Sequence, residues 1–523
     1  MTRRLSRRTT KSHRWCQSNW LLLTFMGLFV SVIEVAPPAA SVVTPDADTH
    51  IAERLAATSA NPAIEKAMQS VAAAVRKAEA DPTRPVCHFR PPALWMNDPN
   101  GTIYYKGYYH VFYQHNPYGD QWGNMHWGHT RSKDLIHWEH LPIALWPSKE
   151  KGENHCFSGC AALDGEGRLL LFYTSVDGNR RPNEQWAALS DESLLVWQKH
   201  PANPILTLET QGGPRFGGSW RDPFIFREAG RTFLVVGADL GDEAVVPIYE
   251  AEDPRLTHWT YRGILFRLPK SDTQFPECPN FFKLGEKWVL LCSPYRPLEY
   301  FVGSFNLERY AFTPENRGRV DHSGDYYATN VLFDGAGRCV LLAWVRGFHE
   351  GRGWNGCMAL PRIPSIGPDG YLIQRPAPEL KALRGKHLEF SGIPLKDGHL
   401  VLENLRGDTM EINAVFRRDD ARAFGLRVRR SEDGKRVVTV RCDGATLDVE
   451  GVKVSLKRAD EKAPLTLHLF LDKSVMEVFV NGGRACVTRV IYPGDEDKGV
   501  ELFAEGGTAL LESLESWELK PIW

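Results

Sequence analysis

No sign of charge predominates in this sequence: 63 lysines and arginines face 64 aspartates and glutamates over 523 residues, a net charge of −1. So even a balance excludes attachment to nucleic acid through bulk electrostatics. Runs long enough for a membrane helix are also missing. The uncharged, mostly apolar stretch Trp20–Ile33 has 14 residues, where a bilayer span needs roughly 20. Neither C-x-x-C nor H-E-x-x-H occurs. His126-x-x-His129 and His137-x-x-His140 sit among aromatic strand residues without a third ligand, so no metal and no cofactor is expected. Ten cysteines are few for a chain of this length. Cys16 lies near the basic N-terminus, and the other nine are odd in number and irregular in spacing, which argues against a disulfide framework. Cys156 and Cys160 are near enough to pair, but buried free thiols are the reading adopted.

Aromatic and turn-forming residues are abundant: 16 Trp, 16 Tyr, 45 Gly and 34 Pro. Together they suggest an all-β protein with flat faces suited to sugar rings. The N-terminus has another character. Arg3, Arg4, Arg7, Arg8, Lys11 and Arg14 precede the apolar stretch, and Ala36-Pro37-Pro38-Ala39-Ala40-Ser41 follows it. This order fits an export signal over residues 1–40, with an uncleaved anchor as the alternative. The chain is therefore expected to be exported, periplasmic or secreted, with no other membrane contact. Residues 1–40 carry six of the basic and one of the acidic side chains, so the remainder has a net charge of −6.

Residues 41–85 form a helical extension. Asn61-Pro62 supplies an N-cap and a proline at the first helical position. Ile64, Ala67, Met68, Val71, Val75 and Ala78 recur at helical spacing, and Asp81-Pro82 ends the run. From Val86 the period becomes that of strands. Tyr104–Tyr113 reads as a hairpin turning near Lys106-Gly107, and Leu169–Thr174, Thr232–Val236, Trp288–Cys292 and Cys339–Trp344 as short apolar strands. A repeat underlies them. The segments from Ser132 to Trp138, from Ser190 to Trp197 and from Ala251 to Trp259 are alike, with tryptophans 59 and 62 residues apart. Units of about 60 residues suit four-stranded propeller blades, and residues 86–380 hold five of them. Residues 381–523 nearly lack tryptophan, and alternate cleanly at Leu465, Leu467, Leu469 and Leu471. They read as a β-sandwich.

Three acidic residues stand in unusual contexts: Asp98 in Trp95-Met96-Asn97-Asp98-Pro99-Asn100-Gly101, Asp222 in Arg221-Asp222-Pro223, and Glu277 in Glu277-Cys278-Pro279. Taken singly, Asp-Pro and Asp-Pro-Asn-Gly are turn chemistry. Their phase says more. Asp98 to Ser158 is 60 residues, Ser158 to Asp222 64, Asp222 to Glu277 55 and Glu277 to Asp325 48. One blade separates each from the next, so equivalent positions meet at one end of the propeller. Gathered carboxyls repel one another and drive their pKa values apart, an arrangement that suits glycosidic bond cleavage better than it suits structure.

These three motifs, in this order, resemble glycoside hydrolase family 32, the invertases, inulinases and levanases. Tyr113-Gln114-His115-Asn116-Pro117, Trp122 with Asn124–His129, Phe157-Ser158-Gly159, Asp321–Ala328, Gly353–Arg362 and Asp472–Asn481 extend the resemblance over residues 89–493. It implies a five-bladed β-propeller followed by a β-sandwich, and a retaining enzyme that releases terminal β-D-fructofuranosyl residues from sucrose or fructans. By motif, Asp98 would be the nucleophile, Glu277 the general acid/base, and Asp222, helped by Arg221, the stabiliser of the transition state. Asn97, Gln114, Trp122, Ser158 and Trp344 would line the fructose subsite. To be protonated when required, Glu277 is expected in an apolar or anionic surrounding. Asp98 is expected to be supported by Asn97 and by backbone N–H groups. An inverting five-bladed arabinosidase or xylosidase, a fructosyltransferase and a non-catalytic sugar-binding propeller are the competing readings.

Overall fold

The computed structural model describes residues 61–178, 181–456 and 463–523; the leader assigned to residues 1–40 and the start of the helical extension lie outside them. Helix α1 spans Pro62–Glu79, and the side chain of its N-cap Asn61 accepts a bond from the N–H of Ala63. The six apolar positions named above are its buried ones. Ile64, Ala67 and Met68 pack against Ile143, while Val71, Val75 and Ala78 join Ala93, Leu94 and Trp354 in the main core.

Five sheets follow, each built on four antiparallel strands in sequence order. Their innermost strands are Leu94–Tyr105, His155–Leu163, Arg221–Glu228, Glu277–Leu284 and Tyr326–Phe333 in blades I to V. The last packs against the first and closes the ring. Lys106 (φ 49°) and Gly107 (φ 82°) form the first hairpin turn, both in the left-handed region that a tight two-residue turn requires. Trp138, Trp197 and Trp259 open the outermost strands of blades I to III. Before each of them an aspartate (Asp134, Asp191, Asp253) accepts backbone N–H bonds, and a leucine turns the chain through a left-handed φ (Leu135, Leu194, Leu256). In blade IV Asn306 accepts from the N–H of Arg309, Tyr310 takes the left-handed φ and Ala311 opens the outermost strand, so its repeat does not show as a tryptophan.

The C-terminal domain is a ten-stranded sheet folded over its own core. Two long strands, Arg384–Arg406 and Gly499–Leu519, pair along their length. Both are interrupted near Lys396–Gly398 and at Gly506 (φ 58°) and Gly507 (φ 139°). One half of each long strand therefore belongs to either layer, and the two layers of the sandwich form one continuous sheet. The domains share a buried apolar cluster that includes Phe89, Leu342, Met358, Phe470, Phe479 and Leu519.

Candidate active site

Each innermost strand carries a bulge near its first residues: Met96–Pro99, Cys156–Gly159, Arg221–Phe224, Glu277–Asn280 and Tyr327–Thr329. A bulge re-aims side chains that regular pleating would turn aside. Here the five bulges point Asp98, Ser158, Asp222, Cys278 and Ala328 toward one end of the channel. Asp222 (φ 64°), Cys278 (φ 48°) and Ala328 (φ 43°) adopt left-handed backbone at matching places, strain of the kind found at functional sites. The fourth position of the repeat is therefore Cys278, with Glu277 one residue before it, and the fifth is Ala328. Asp325, three residues earlier, instead accepts from the N–H of Val490 at 3.0 Å and pairs with Arg489, both in the second domain.

Asp98 is buried inside a closed ring of hydrogen bonds. Asn97 Nδ2 donates to Asp98 Oδ1 (3.0 Å) and to Gln114 Oε1 (2.9 Å); Gln114 Nε2 donates to Ser158 Oγ (2.6 Å), which donates to Asp98 Oδ2 (2.5 Å). Trp95 Nε1 fixes Asn97 by donating to its Oδ1 (2.7 Å). Bonds of this kind to the charged form keep a buried carboxylate oriented. They come from side chains, not from the backbone N–H groups that the sequence suggests as partners.

Asp222 lies one blade on from Ser158. Its own N–H donates to Thr174 Oγ1 (2.9 Å), and its Oδ2 accepts from the N–H of Cys278 (3.1 Å). The Cys278 thiol sits 3.4 Å from Oδ2 of Asp98 and 3.7 Å from Oδ2 of Asp222, bridging the two aspartates. Burial, with the charges of Glu277 and Asp98, pushes Asp222 up to about 7 against the pull of Arg221. Burial and the same carboxylates also push the Cys278 thiol up, so it stays protonated.

Glu277 meets the expectation only in part. It shares the floor with the Asp222 carboxylate, which its charge pushes up, but its own oxygens are bonded by a cation and two phenols. Arg221 Nη2 is 2.7 Å and Tyr295 Oη 3.1 Å from its Oε1, and Tyr327 Oη is 2.9 Å from its Oε2. Arg221 also reaches Asp222 (3.6 Å), lies 4.1 Å above the Phe275 ring and bonds the Tyr295 hydroxyl.

Trp344 is buried and packs at 5.6 Å edge-to-face on Trp95, beside Cys278, Tyr327 and Ala328. Gly356 (φ 95°) passes so close that a Cβ there would stand 2.2 Å from the Met96 carbonyl oxygen and 2.9 Å from the Trp344 ring nitrogen. Trp122, 52% exposed, stacks on His155 at 5.2 Å and meets Phe157 edge-on, at the rim. All nine residues that the sequence marks thus gather at one end of the propeller. Tyr295, Phe275 and Thr174 are not marked there. Tyr327 falls inside the segment Asp321–Ala328 without standing out from it, and nothing in the local sequence of Tyr295 distinguishes it.

Two family models match the chain: "Glycosyl hydrolases family 32 N-terminal domain" over residues 88–376 and "Glycosyl hydrolases family 32 C terminal" over residues 379–518. Sucrose-6-phosphate hydrolase of Escherichia coli is 31% identical over 490 residues, covering 87% of this chain and 98% of its own. Levanase of Bacillus subtilis is 32% identical, covering 84% and 71%. Among solved structures, the fructan 1-exohydrolase IIa of Cichorium intybus in complex with 1-kestose superposes with a TM-score of 0.77 at 25% identity, covering 84% of this chain and 98% of its own.

Proposed function

The chain belongs to glycosyl hydrolase family 32, and from that membership we propose that it is a retaining β-fructosidase releasing terminal fructosyl units from sucrose or a fructan. The observation that carries this reading is the oriented Asp98 carboxylate, locked by Asn97 and Ser158 on the channel floor that it shares with Asp222 and the Arg221-bound Glu277. Asp98 attacks the anomeric carbon as the bond to the leaving oxygen breaks, and Glu277 delivers a proton to that oxygen. The products of this step are a fructosyl ester of Asp98 and a free alcohol. Glu277 then takes a proton from water, which hydrolyses the ester with net retention. Asp222 and Arg221 stand where the fructosyl hydroxyls and the developing charge need partners. Asn97 and Gln114 hold Asp98 in line, while Trp95 and Trp344 wall the pocket.

The test is free fructose released from sucrose, sucrose-6-phosphate, inulin and levan in parallel. Wild-type protein is expected to release it from at least one, and Asp98→Asn to lose about a thousandfold or more in kcat. Release that survives in Asp98→Asn removes Asp98 from its role. An inverted anomer as first product would favour the inverting arabinosidase-like reading. Export is part of the proposal, resting on the basic N-terminus and the apolar stretch Trp20–Ile33. A mature N-terminus near residue 40 is the expected result.

A further inference from the structure

Glu277 presents two unlike oxygens. Oε2 faces Tyr327, whose hydroxyl is buried and also lies 2.9 Å from the Ser293 carbonyl oxygen. Oε1 faces Arg221 and Tyr295, and Tyr295 is 58% exposed. The leaving group arrives from solvent, so its oxygen approaches on the Oε1 side. Tyr295 itself is an unusual residue to find there. A large aromatic side chain is left open to water at a left-handed φ of 61°, a conformation that bulky residues seldom adopt. The loop holds it firmly all the same. The N–H of Tyr295 donates to Tyr327 Oη at 3.0 Å. Next to it, Arg296 bonds the Asp272 carbonyl and pairs with Glu299 at 3.1 Å, while Arg317 ties Asp272 and Glu299 together. Packing does not account for a strained, exposed tyrosine braced in this way, whereas a binding role does.

We propose that Tyr295 forms the leaving-group subsite, holding the sugar that departs from the fructosyl unit and, in reverse, the alcohol that accepts it. This rests on the fructosidase reading above. Any oxygen receiving a proton from Glu277 must come within about 3 Å of that carboxyl. The Tyr295 hydroxyl already occupies such a position, between the acid and Arg221. Displaced from Glu277 by the glycosidic oxygen, it is a ready hydrogen-bond partner for the neighbouring hydroxyl, and its ring offers a flat apolar face to the sugar. The ring is open to water, but its hydroxyl is lodged between Arg221 and Glu277; desolvation there and the Glu277 charge push the phenol up, so it acts as a neutral hydroxyl at any working pH. The subsite sees the part of the substrate in which sucrose and fructans differ, which makes Tyr295 a specificity residue.

The experiment measures kcat and KM of wild type, Tyr295→Phe and Tyr295→Ala on sucrose and levan, and the excess of free glucose over free fructose at high sucrose, which reports transfer. Losing a ring face and one hydrogen bond is expected to change the sucrose-to-levan ratio of kcat/KM by about tenfold in Tyr295→Ala, mainly through KM. The transfer excess should fall with it. Tyr295→Phe keeps the ring and should recover most of KM but not the transfer excess, and it decides the matter if the alanine variant does not fold. A folded Tyr295→Ala with a ratio within twofold of wild type, or a folded Tyr295→Phe with an undiminished transfer excess, overturns the inference. If wild type itself releases fructose from none of the substrates, the fructosidase reading fails instead.

Discussion

Three acids on one channel floor store free energy against folding. Asp222 shows the effect most clearly: its carboxyl is pushed from 3.8 to about 7 by burial and by its anionic neighbours. A folded pKa above the unfolded one means that this stabilising contribution is complete below about pH 4 and disappears as the pH rises through 7. A rise of that size is worth at most ~4 kcal/mol. Asp222→Asn removes the titration, so the variant should melt above wild type at pH 8 while the two converge toward pH 4, and thermal unfolding at both pH values checks it. The same variant should lose most of its activity, because stability and function oppose each other at this position. Ser158 offers the complementary case. Its 2.5 Å bond to Asp98 orients that carboxylate from a neighbouring blade. Ser158→Ala should therefore lower kcat/KM by about tenfold or more and stability by about 1–3 kcal/mol, since it leaves Asp98 and Gln114 each short of a partner, as read by steady-state kinetics beside calorimetry.

At the scale of elements, bulges and glycines place these groups. Gly159 follows Ser158, and a Cβ there would stand 1.9 Å from the Phe172 carbonyl oxygen on the next strand. Gly159→Ala should push the two strands of blade II apart, lowering stability by about 1–3 kcal/mol in denaturant titration and reducing activity through Ser158. Helix α1 owes its position to other forces. Its apolar face covers blade I, and beyond its C-terminus Asp81 accepts from the Trp354 ring nitrogen at 2.9 Å. The helix was fully legible in sequence because capping and a 3.6-residue period are local signals. The bulges were not, since no residue type announces a left-handed aspartate or cysteine at the second residue of a strand.

Over the whole molecule, three of the segments that resembled the family outside the acidic motifs, Asp321–Ala328, Gly353–Arg362 and Asp472–Asn481, meet in one buried network between the domains. Arg362 Nη2 bonds Asp321 Oδ2 (3.0 Å), Glu477 Oε2 (2.7 Å) and Thr488 Oγ1 (2.9 Å). His88 bridges Asp472 (2.8 Å) and Glu477 (3.2 Å), and Asp472 also accepts from the N–H groups of Val86, Cys87 and His88. Arg362→Met strands two buried carboxylates and should cost about 3–5 kcal/mol of stability in calorimetry. Burial opposes the charge on His88, but its two carboxylate partners prevail and hold it at about 9. Since the folded pKa exceeds 6.5, this contribution is complete below pH 6.5 and is lost as the pH rises through 9. Melting temperature should fall over that window in wild type, and less steeply in His88→Asn.

Local chemistry was enough to determine a helix, a hairpin at Lys106-Gly107, a blade-length repeat and three acids in step with it, because each depends on neighbours a few residues away or on a regular count along the chain. Blade length also brought the acids to the same end of the channel. Their partners required the fold. Arg221 on Glu277, the Cys278 thiol between Asp98 and Asp222, and Tyr295 beside the acid join residues 56, 180 and 18 positions apart. The first two pairs arise only when separate blades close into a ring and the third when a loop of blade IV folds back over its innermost strand, and sequence separation carries no record of which side chains are brought face to face. The same holds for His88 and Asp472, 384 positions apart. A charge pair buried between domains is set by how two finished surfaces dock, which no segment of either chain half contains.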